Sequence, residues 1–334
     1  MTAAAAPSLD VVAIGNAIVD VLTPSDDAFL AEHALTKGGM QLIDAETAEA
    51  LYADMGAGKE VSGGSAANTL AGLAALGKRC AFIGQVRDDQ LGDVFTHDVR
   101  ALGIRYDTPA VGGEVPTARC LILVTPDAQR TMNTFLGASQ FLPESALDLD
   151  LIRSASILYL EGYLWDPEQP RAAMRAAIDA AKGAGRKVAF TLSDGFVIER
   201  HRDDFVQLID QGLIDILFSN EHEIQSLAQI DDFDKAVASF AGRVPVLIST
   251  RSEKGAIAVV DGVRYEVPAA PVAQVIDTTG AGDLFAAGFL AGHIEELDVH
   301  HCLELGAAAA AEVISHWGAR PEQDLKMIRA KLGR

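Results

Sequence analysis

Short β-branched runs alternate with longer alanine- and leucine-rich segments along most of this chain, and that alternation restricts the fold more than any other feature. "VVAIG" (11–15) reads as a buried strand, "SAANTLAGLAALG" (65–77) as a helix, "CAFIGQV" (80–86) as a strand and "LGDVFTHDVRALG" (91–103) as a helix. The rhythm continues with strands at 157–162, 187–193, 215–220 and 245–252, and a strand pair within 257–267. Helices are expected at about 168–183, 203–211 and 221–228, and from 283 and 302. Strand and helix in strict succession imply right-handed βαβ crossovers. The expected fold is α/β, a doubly wound, mostly parallel sheet flanked by helices.

One region breaks the rhythm. From Thr108 to Ser139 the text alternates and turns without a helix, and "ARCLILVT", the "PDAQ" turn and "RTMNTF" read as a β-hairpin outside the main sheet. Residues 16–43 have no clear helical period in their second half and can supply partner strands. The expectation is a single domain, 1–334, with a small β lid formed by about 16–43 and 105–140. Such a lid could pair with another chain's edge strand or cover only its own site, so both monomer and homodimer stay open.

With 49% hydrophobic residues the chain has material for a sizeable core, and a formal net charge of −20, from 47 acids against 27 bases, opposes broad binding to nucleic acid or anionic membrane. No segment reaches the roughly 18 uninterrupted apolar residues of a membrane span. Cys80, Cys120 and Cys302 show no metal-type pairing and fit a reducing compartment. "MTAAAAPSLD" lacks the basic residue and apolar core of a signal peptide, so a cytoplasmic location is expected.

Two glycine-rich helix starts carry the chemistry. In "VIDTTGAGDLFAAGFLAG" (275–292), Asp283 follows Gly282 at the head of an apolar helix. A carboxylate there can be a plain cap, yet glycines at a helix start also let backbone N–H groups close on an anion. In "SGGSAANTL" (62–70), Gly63–Gly64 lets backbone approach a ligand, Ser65 is the expected N-cap, and Asn68 lies on the same face one turn on. Asn16 and Asp20 follow the first strand, where ligands of parallel sheets bind and where short polar side chains can hold sugar hydroxyls. "DILFSNEHEI" offers Asn220 and Glu223, which could order Mg²⁺ through water or simply start a helix. Arg119 and Arg130 on the hairpin are either a solvated face or a phosphate clamp. "GAGKE" (56–60) is not a Walker A loop, since Ala53 and Glu60 stand where glycine and Ser/Thr are needed.

"GGSAANTLAGLAALG" and "DTTGAGDLFAAGFL", over 200 residues apart, resemble the two signature segments of the ribokinase-like, or PfkB, carbohydrate kinases, and "SNEHE" is similar to that family's Asn-x-x-Glu element. The resemblance spans about 11–321. It implies an ATP-dependent kinase in which Asp283 is the general base toward a substrate CH₂OH, ionised at neutral pH if its pKa is near ~4. The N–H groups of Gly280, Ala281, Gly282 and Asp283 would form an anion hole. It further implies Mg²⁺ positioned by Asn220 and Glu223, and a loop with Asp277 and Thr279 that holds K⁺ in many members. Thr250, Ser252 and Gly255, with the stretch from Ala308 to Gly318, would border adenine.

Within the family, "GNAIVD", "GGSAANT", "TLSDGF" and "DAQRTMNT" are similar to the adenosine kinase branch. That likeness implies ribose hydroxyls on Asp20, Gly64 and Asn68, the base against Met40, Tyr163 and Phe196, and the phosphates near Arg130. The function expected is phosphorylation of a nucleoside 5′-hydroxyl, adenosine foremost. The alternatives are a sugar kinase of the ribose or fructose type, or a non-catalytic nucleoside-binding protein. "TT" at 278–279 and Ala17 depart from the adenosine kinase pattern, as does the acid Asp194, which would lie near the base pocket.

Overall fold

The structure, a computed structural model, describes residues 7–127 and 129–332. The start of the N-terminal stretch (1–6) and position 128 of the "PDAQ" turn lie outside the described residues.

A nine-stranded sheet runs in the order Val263–Val267, Ala256–Val260, Val246–Thr250, Ile216–Asn220, Lys187–Thr191, Ala155–Glu161, Leu9–Ile14, Cys80–Ile83, Arg105–Tyr106. Neighbours are parallel except around Ala256–Val260, which is antiparallel to both partners. Its central strands are buried on both faces: Val11 and Ala13 enter one apolar cluster while Val12 and Ile14 enter the other. On the first face lie helices Ser65–Ala75, Ala281–Ile294 and Val299–Val313, with Leu70, Leu73, Leu284 and Phe289 in the core. Trp165, Met174, Phe205 and Phe240 fill the other face.

The chain leaves the first strand for Cys80–Ile83 on one side and later for Ala155–Glu161 on the other. The strand order therefore reverses between Leu9–Ile14 and Ala155–Glu161, and the crevice beyond their carboxyl ends is where such sheets take ligands.

Helix Ser65–Ala75 packs along Ala281–Ile294 at Gly72, where a Cβ would stand 2.6 Å from Leu284 Cδ1 and 2.7 Å from Ala287 Cβ. A mid-helix glycine costs about 1 kcal/mol against alanine. Here it permits the close approach that brings the two glycine-rich helix starts together.

A second sheet has the order Met40–Leu42, Arg130–Phe135, Ala118–Val124, Ile18–Pro24, Lys59–Gly63. The 118–124/130–135 hairpin is antiparallel, as its alternation requires. Its boundaries differ from the sequence pattern in three ways. Lys59–Gly63 joins as an edge strand, Arg105–Tyr106 belongs to the large sheet, and residues 16–43 contain a helix, Asp27–Glu32.

Cross-strand register assigns this sheet's faces. Asp20 pairs with Cys120, Cys120 with Thr134, and Met40 with Met132, so Asp20, Met40 and Arg130 share one face. Arg119 pairs with Val19 and Phe135 on the other face, which is packed with Val21, Leu121 and Leu123 beneath Leu30 and Leu51 of the short helices.

Several helices depart from expectation, among them Leu149–Ser154 and Leu325–Leu332, which the sequence pattern does not mark. Phe233–Phe240 has no counterpart in the sequence pattern. Gly195–Asp210 begins well before 203, its period broken by non-helical backbone at His201. Ala45–Asp54 buries only Ala48 and Leu51, too few apolar positions to show a period.

Candidate active site

The first turn of Ala281–Ile294 meets the first turn of Ser65–Ala75. Ser65 Oγ donates to Asp283 Oδ1 at 2.6 Å, and Asn68 Nδ2 donates to Asp283 Oδ2 at 3.0 Å. Asp283 is therefore no cap: Gly280 (φ 78°) holds the N-cap without a side-chain bond, and the carboxylate is turned across to the neighbouring helix. Burial pushes its pKa above the usual carboxylate value, against the lowering effects of Ser65, Asn68 and Arg320. It is thus more basic than the unperturbed group expected from sequence.

Sequence spacing makes Ser65 an N-cap; Gly64 takes that position and frees the Ser65 hydroxyl for Asp283. Gly64 has φ 93°, and a Cβ there would stand 2.3 Å from Asn16 O. Asn68 is buried, and its Oδ1 has no partner. Asp20 faces the same crevice, and a Cβ on Gly63 would stand 2.5 Å from its Oδ2. Burial raises the Asp20 pKa to about 6, opposed first by Arg320 and then by Arg130.

Asn16, expected to hold a sugar hydroxyl, is engaged inside the protein instead. Its N–H and Nδ2 both donate to Glu161 Oε1 at 2.7 Å, and its Oδ1 accepts from Ser139 Oγ at 2.8 Å. Glu161 Oε2 accepts from Ala66 N at 2.8 Å, so one fully buried carboxylate braces both the loop after the first strand and the start of Ser65–Ala75. Burial lifts its pKa to about 7. Sequence reasoning missed Glu161; the available signal was an acid ending a strand in "ILYLEG".

At the other helix start, Ala281 N–H turns to Thr278 O at 3.2 Å rather than outward, a departure from the expected four-donor hole. Among the described residues, Gly280, Gly282 and Asp283 N–H have no protein acceptor. The loop before them is closed by Asp277, whose Oδ1 accepts from Thr279 N and Oγ1 at 3.0 and 2.7 Å. Asp277 Oδ2 accepts from Gly318 N at 2.8 Å and pairs with Arg130 Nη1 at 2.8 Å. Arg130 lies 4.9 Å over the Trp317 ring, and its Nε and Nη2 are buried without partners. Unpaired amides and guanidinium nitrogens at one helix N-terminus suit a phosphate.

Arg119 serves no such end. It is 8% exposed on the opposite face of the small sheet, 5.5 Å over Tyr52.

Asn220 and Glu223 form a capping box. Asn220 Oδ1 accepts from Glu223 N at 2.9 Å, and Glu223 accepts from Asn220 N and Nδ2 at 3.0 and 2.6 Å. Burial raises the Glu223 pKa to about 7. Each Glu223 carboxylate oxygen already accepts one hydrogen bond from Asn220, and no group of three metal-ligating side chains occurs among the described residues. Thr250 pairs with Asn220 in register. Ser252 is exposed in the turn that Gly255 closes, and Ala308 is half-buried on Val299–Val313.

The expected base contacts are looser. Met40 and Phe196 are 45% and 66% exposed. Tyr163 is half-buried, and its hydroxyl pKa is pushed up first by burial and then by Asp194, Glu223, Asp283 and Glu161.

Fold and site together suit a small-molecule kinase: a doubly wound sheet whose crevice joins a buried carboxylate to a helix start with unpaired N–H donors. The chain belongs to the pfkB family of carbohydrate kinases, which it matches over residues 37–325. It is 45% identical to the adenosine kinase of Sinorhizobium meliloti, with a TM-score of 0.90 over 97% of this chain and 99% of that one. A probable sugar kinase protein from Rhizobium etli CFN 42 is 44% identical, with a TM-score of 0.91 over 98% and 99% of the two chains. The adenosine kinase of Saccharomyces cerevisiae is 26% identical over 329 residues, 92% of this chain and 95% of its own. The protein is a phosphotransferase with an alcohol group as acceptor, and its family implies ATP as donor, typically with Mg²⁺. No helix among the described residues is long and apolar enough to cross a membrane.

Proposed function

We propose that the chain transfers the γ-phosphoryl group of ATP to the 5′-hydroxyl of a nucleoside, adenosine foremost, with Asp283 as general base. The observation that carries this reading is the Asp283 carboxylate, held by Ser65 and Asn68 beside three unpaired N–H donors. Two hydrogen bonds fix its orientation, and burial strengthens it as a base. As the acceptor oxygen bonds to phosphorus, its proton passes to Asp283 and ADP leaves. The N–H groups of Gly280, Gly282 and Asp283 and the free nitrogens of Arg130 stabilise charge on the phosphoryl oxygens. Mg²⁺, when bound with ATP, neutralises phosphate charge; the Asn220–Glu223 box would meet it only through ordered water.

Asn68 Oδ1 is a buried acceptor without a donor, and with the Asp20 carboxylate it is matched to the two hydroxyls of a ribose. Gly64 lets the sugar approach the backbone. Asn16 positions this group through Glu161 rather than touching the substrate. Met40 and Phe196, exposed and apolar, offer surface to a flat base, with Tyr163 as the third contact. Thr250, Ser252, Gly255 and the Ala308–Gly318 stretch border the adenine of ATP, and the backbone oxygens of Asp277 and Thr279, flanking a Thr278 O that accepts from Ala281 N, are those left to K⁺. The small sheet acts as the lid, presenting Asp20, Met40 and Arg130 inward.

Likeness to adenosine kinases supports the nucleoside, whereas the Rhizobium etli relative keeps a free sugar as the second reading. A phosphorylated sugar is disfavoured because Arg119 faces away, leaving Arg130 as the lone hairpin cation on the crevice face. The test is ATP-dependent phosphorylation of adenosine, inosine, guanosine, ribose, fructose and fructose 6-phosphate with Mg²⁺ and K⁺. Turnover confined to adenosine supports the assignment; turnover of a free sugar and not of adenosine discards the base contacts.

A further inference from the structure

The segment 318–320 touches both glycine-rich helix starts. Gly318 N–H donates to Asp277 Oδ2 at 2.8 Å, closing the loop ahead of Ala281–Ile294. Ala319 packs on Gly280, where a Cβ would stand 2.7 Å from Ala319 Cβ. The Arg320 side chain then crosses to the other start. Its Nε and Nη2 donate to Ser62 O at 3.1 and 2.9 Å, Nη2 also meets Ser62 Oγ at 3.1 Å, and Nη1 donates to Ala67 O.

One guanidinium thereby holds both ends of Ser62–Ala67, the turn that carries Gly63, Gly64 and Ser65. Asp98 Oδ2 holds the same turn from the opposite side, accepting from Ser62 N at 3.0 Å. The segment is itself anchored just beyond Arg320, because Glu312 Oε1, buried at 4% exposure, accepts from Glu322 N and Gln323 N at 2.9 and 2.8 Å.

From this geometry we infer that Arg320 is a positioning residue. It couples the anion-binding helix start to the acceptor-binding turn, and its positive charge favours the carboxylate forms of Asp283 and Asp20. This rests on Asp283 acting as the base, as proposed above. A guanidinium spans two carbonyls with a rigid fork that a lysine ammonium cannot reproduce. The Arg320 charge lowers the pKa of both carboxylates, against the raising effect of their burial. Burial lowers the pKa of Arg320 to about 10, so it stays protonated at neutral pH.

Other groups around the two carboxylates cannot take over this role. Ser65 and Asn68 hydrogen-bond Asp283 but are neutral. Asp20, Glu161 and Glu223 are acids that couple to Asp283, and Tyr159 and Tyr163 are buried phenols. Arg130, the other cation near Asp20, is tied to Asp277.

The experiment compares wild type, Arg320→Met and Arg320→Lys in kcat and KM against pH, with the acceptor that wild type turns over best. Removing an adjacent opposite charge raises a carboxyl pKa by about one unit or more. The acid limb of kcat/KM in Arg320→Met is therefore expected to move up by about one pH unit. Arg320→Lys, which keeps the charge and loses the fork, should hold the limb in place while KM for the acceptor rises about tenfold.

A folded Arg320→Met with the wild-type acid limb overturns the inference. Should that variant not fold, Arg320→Lys decides: a wild-type KM, or a displaced limb, overturns it. A wild-type enzyme without any acid limb counts instead against Asp283 as base, so the two failures are distinct.

Discussion

Ser65 and Asp283, 218 residues apart, meet at 2.6 Å, and this bond joins the two helix starts into one site. It also lowers the Asp283 pKa against the raising effect of burial. A hydrogen bond to a charged group contributes about 1.5–3 kcal/mol, equivalent to roughly one pH unit or more. Ser65→Ala is predicted to move the acid limb of kcat upward by about one pH unit. Its kcat at neutral pH should fall about tenfold, with little change in KM for ATP. A full pH–rate profile of the variant checks both.

Asp20 sets a second pH dependence. Its pKa of about 6 means that above this pH both carboxylate oxygens accept hydroxyl protons, and below it one becomes a donor. KM for the acceptor should therefore rise as pH falls through about 6. In Asp20→Asn that pH dependence should vanish, and KM should be high throughout. Initial-rate measurements between these limits decide it.

Arg130 is held by Asp277 and Trp317 with two nitrogens left over. Arg130→Lys keeps a charge but loses the planar fork and its stacking. KM for ATP is predicted to rise about tenfold. Equal kinetics in the two proteins would show that the fork is unused.

Gly64 tests the backbone rather than the chemistry. An alanine there must take φ 93° and place its Cβ 2.3 Å from Asn16 O. Strain and overlap together should cost roughly 2–4 kcal/mol, read as a lower urea midpoint with the slope unchanged.

Local pattern made much of this legible in the sequence. The strands are short β-branched runs and the main helices are longer apolar-rich segments between them, so the doubly wound sheet followed from the text. Gly64, Asn68, Gly280 and Asp283 stand in compact motifs whose spacing survives into the structure. Glu161 and Arg320 were not legible, because their work arises only when strands and loops distant in sequence converge. Asn16 was legible as polar residue at a strand end, but its commitment to Glu161 depends on a partner 145 residues away. The cap at Gly64 rather than Ser65 likewise goes with a Ser65 hydroxyl engaged by Asp283, 218 residues away.

The central claim is that Asp283 removes the acceptor's proton. Asp283→Asn keeps the shape and the helix start while removing the base, and general-base catalysis typically contributes 10²–10⁴-fold, as an order of magnitude. Phosphorylation of the acceptor and its binding by calorimetry should be measured side by side in this variant. The account predicts turnover lowered by roughly that factor with acceptor affinity kept within a few-fold. Turnover close to wild type in a variant that still binds the acceptor would contradict it.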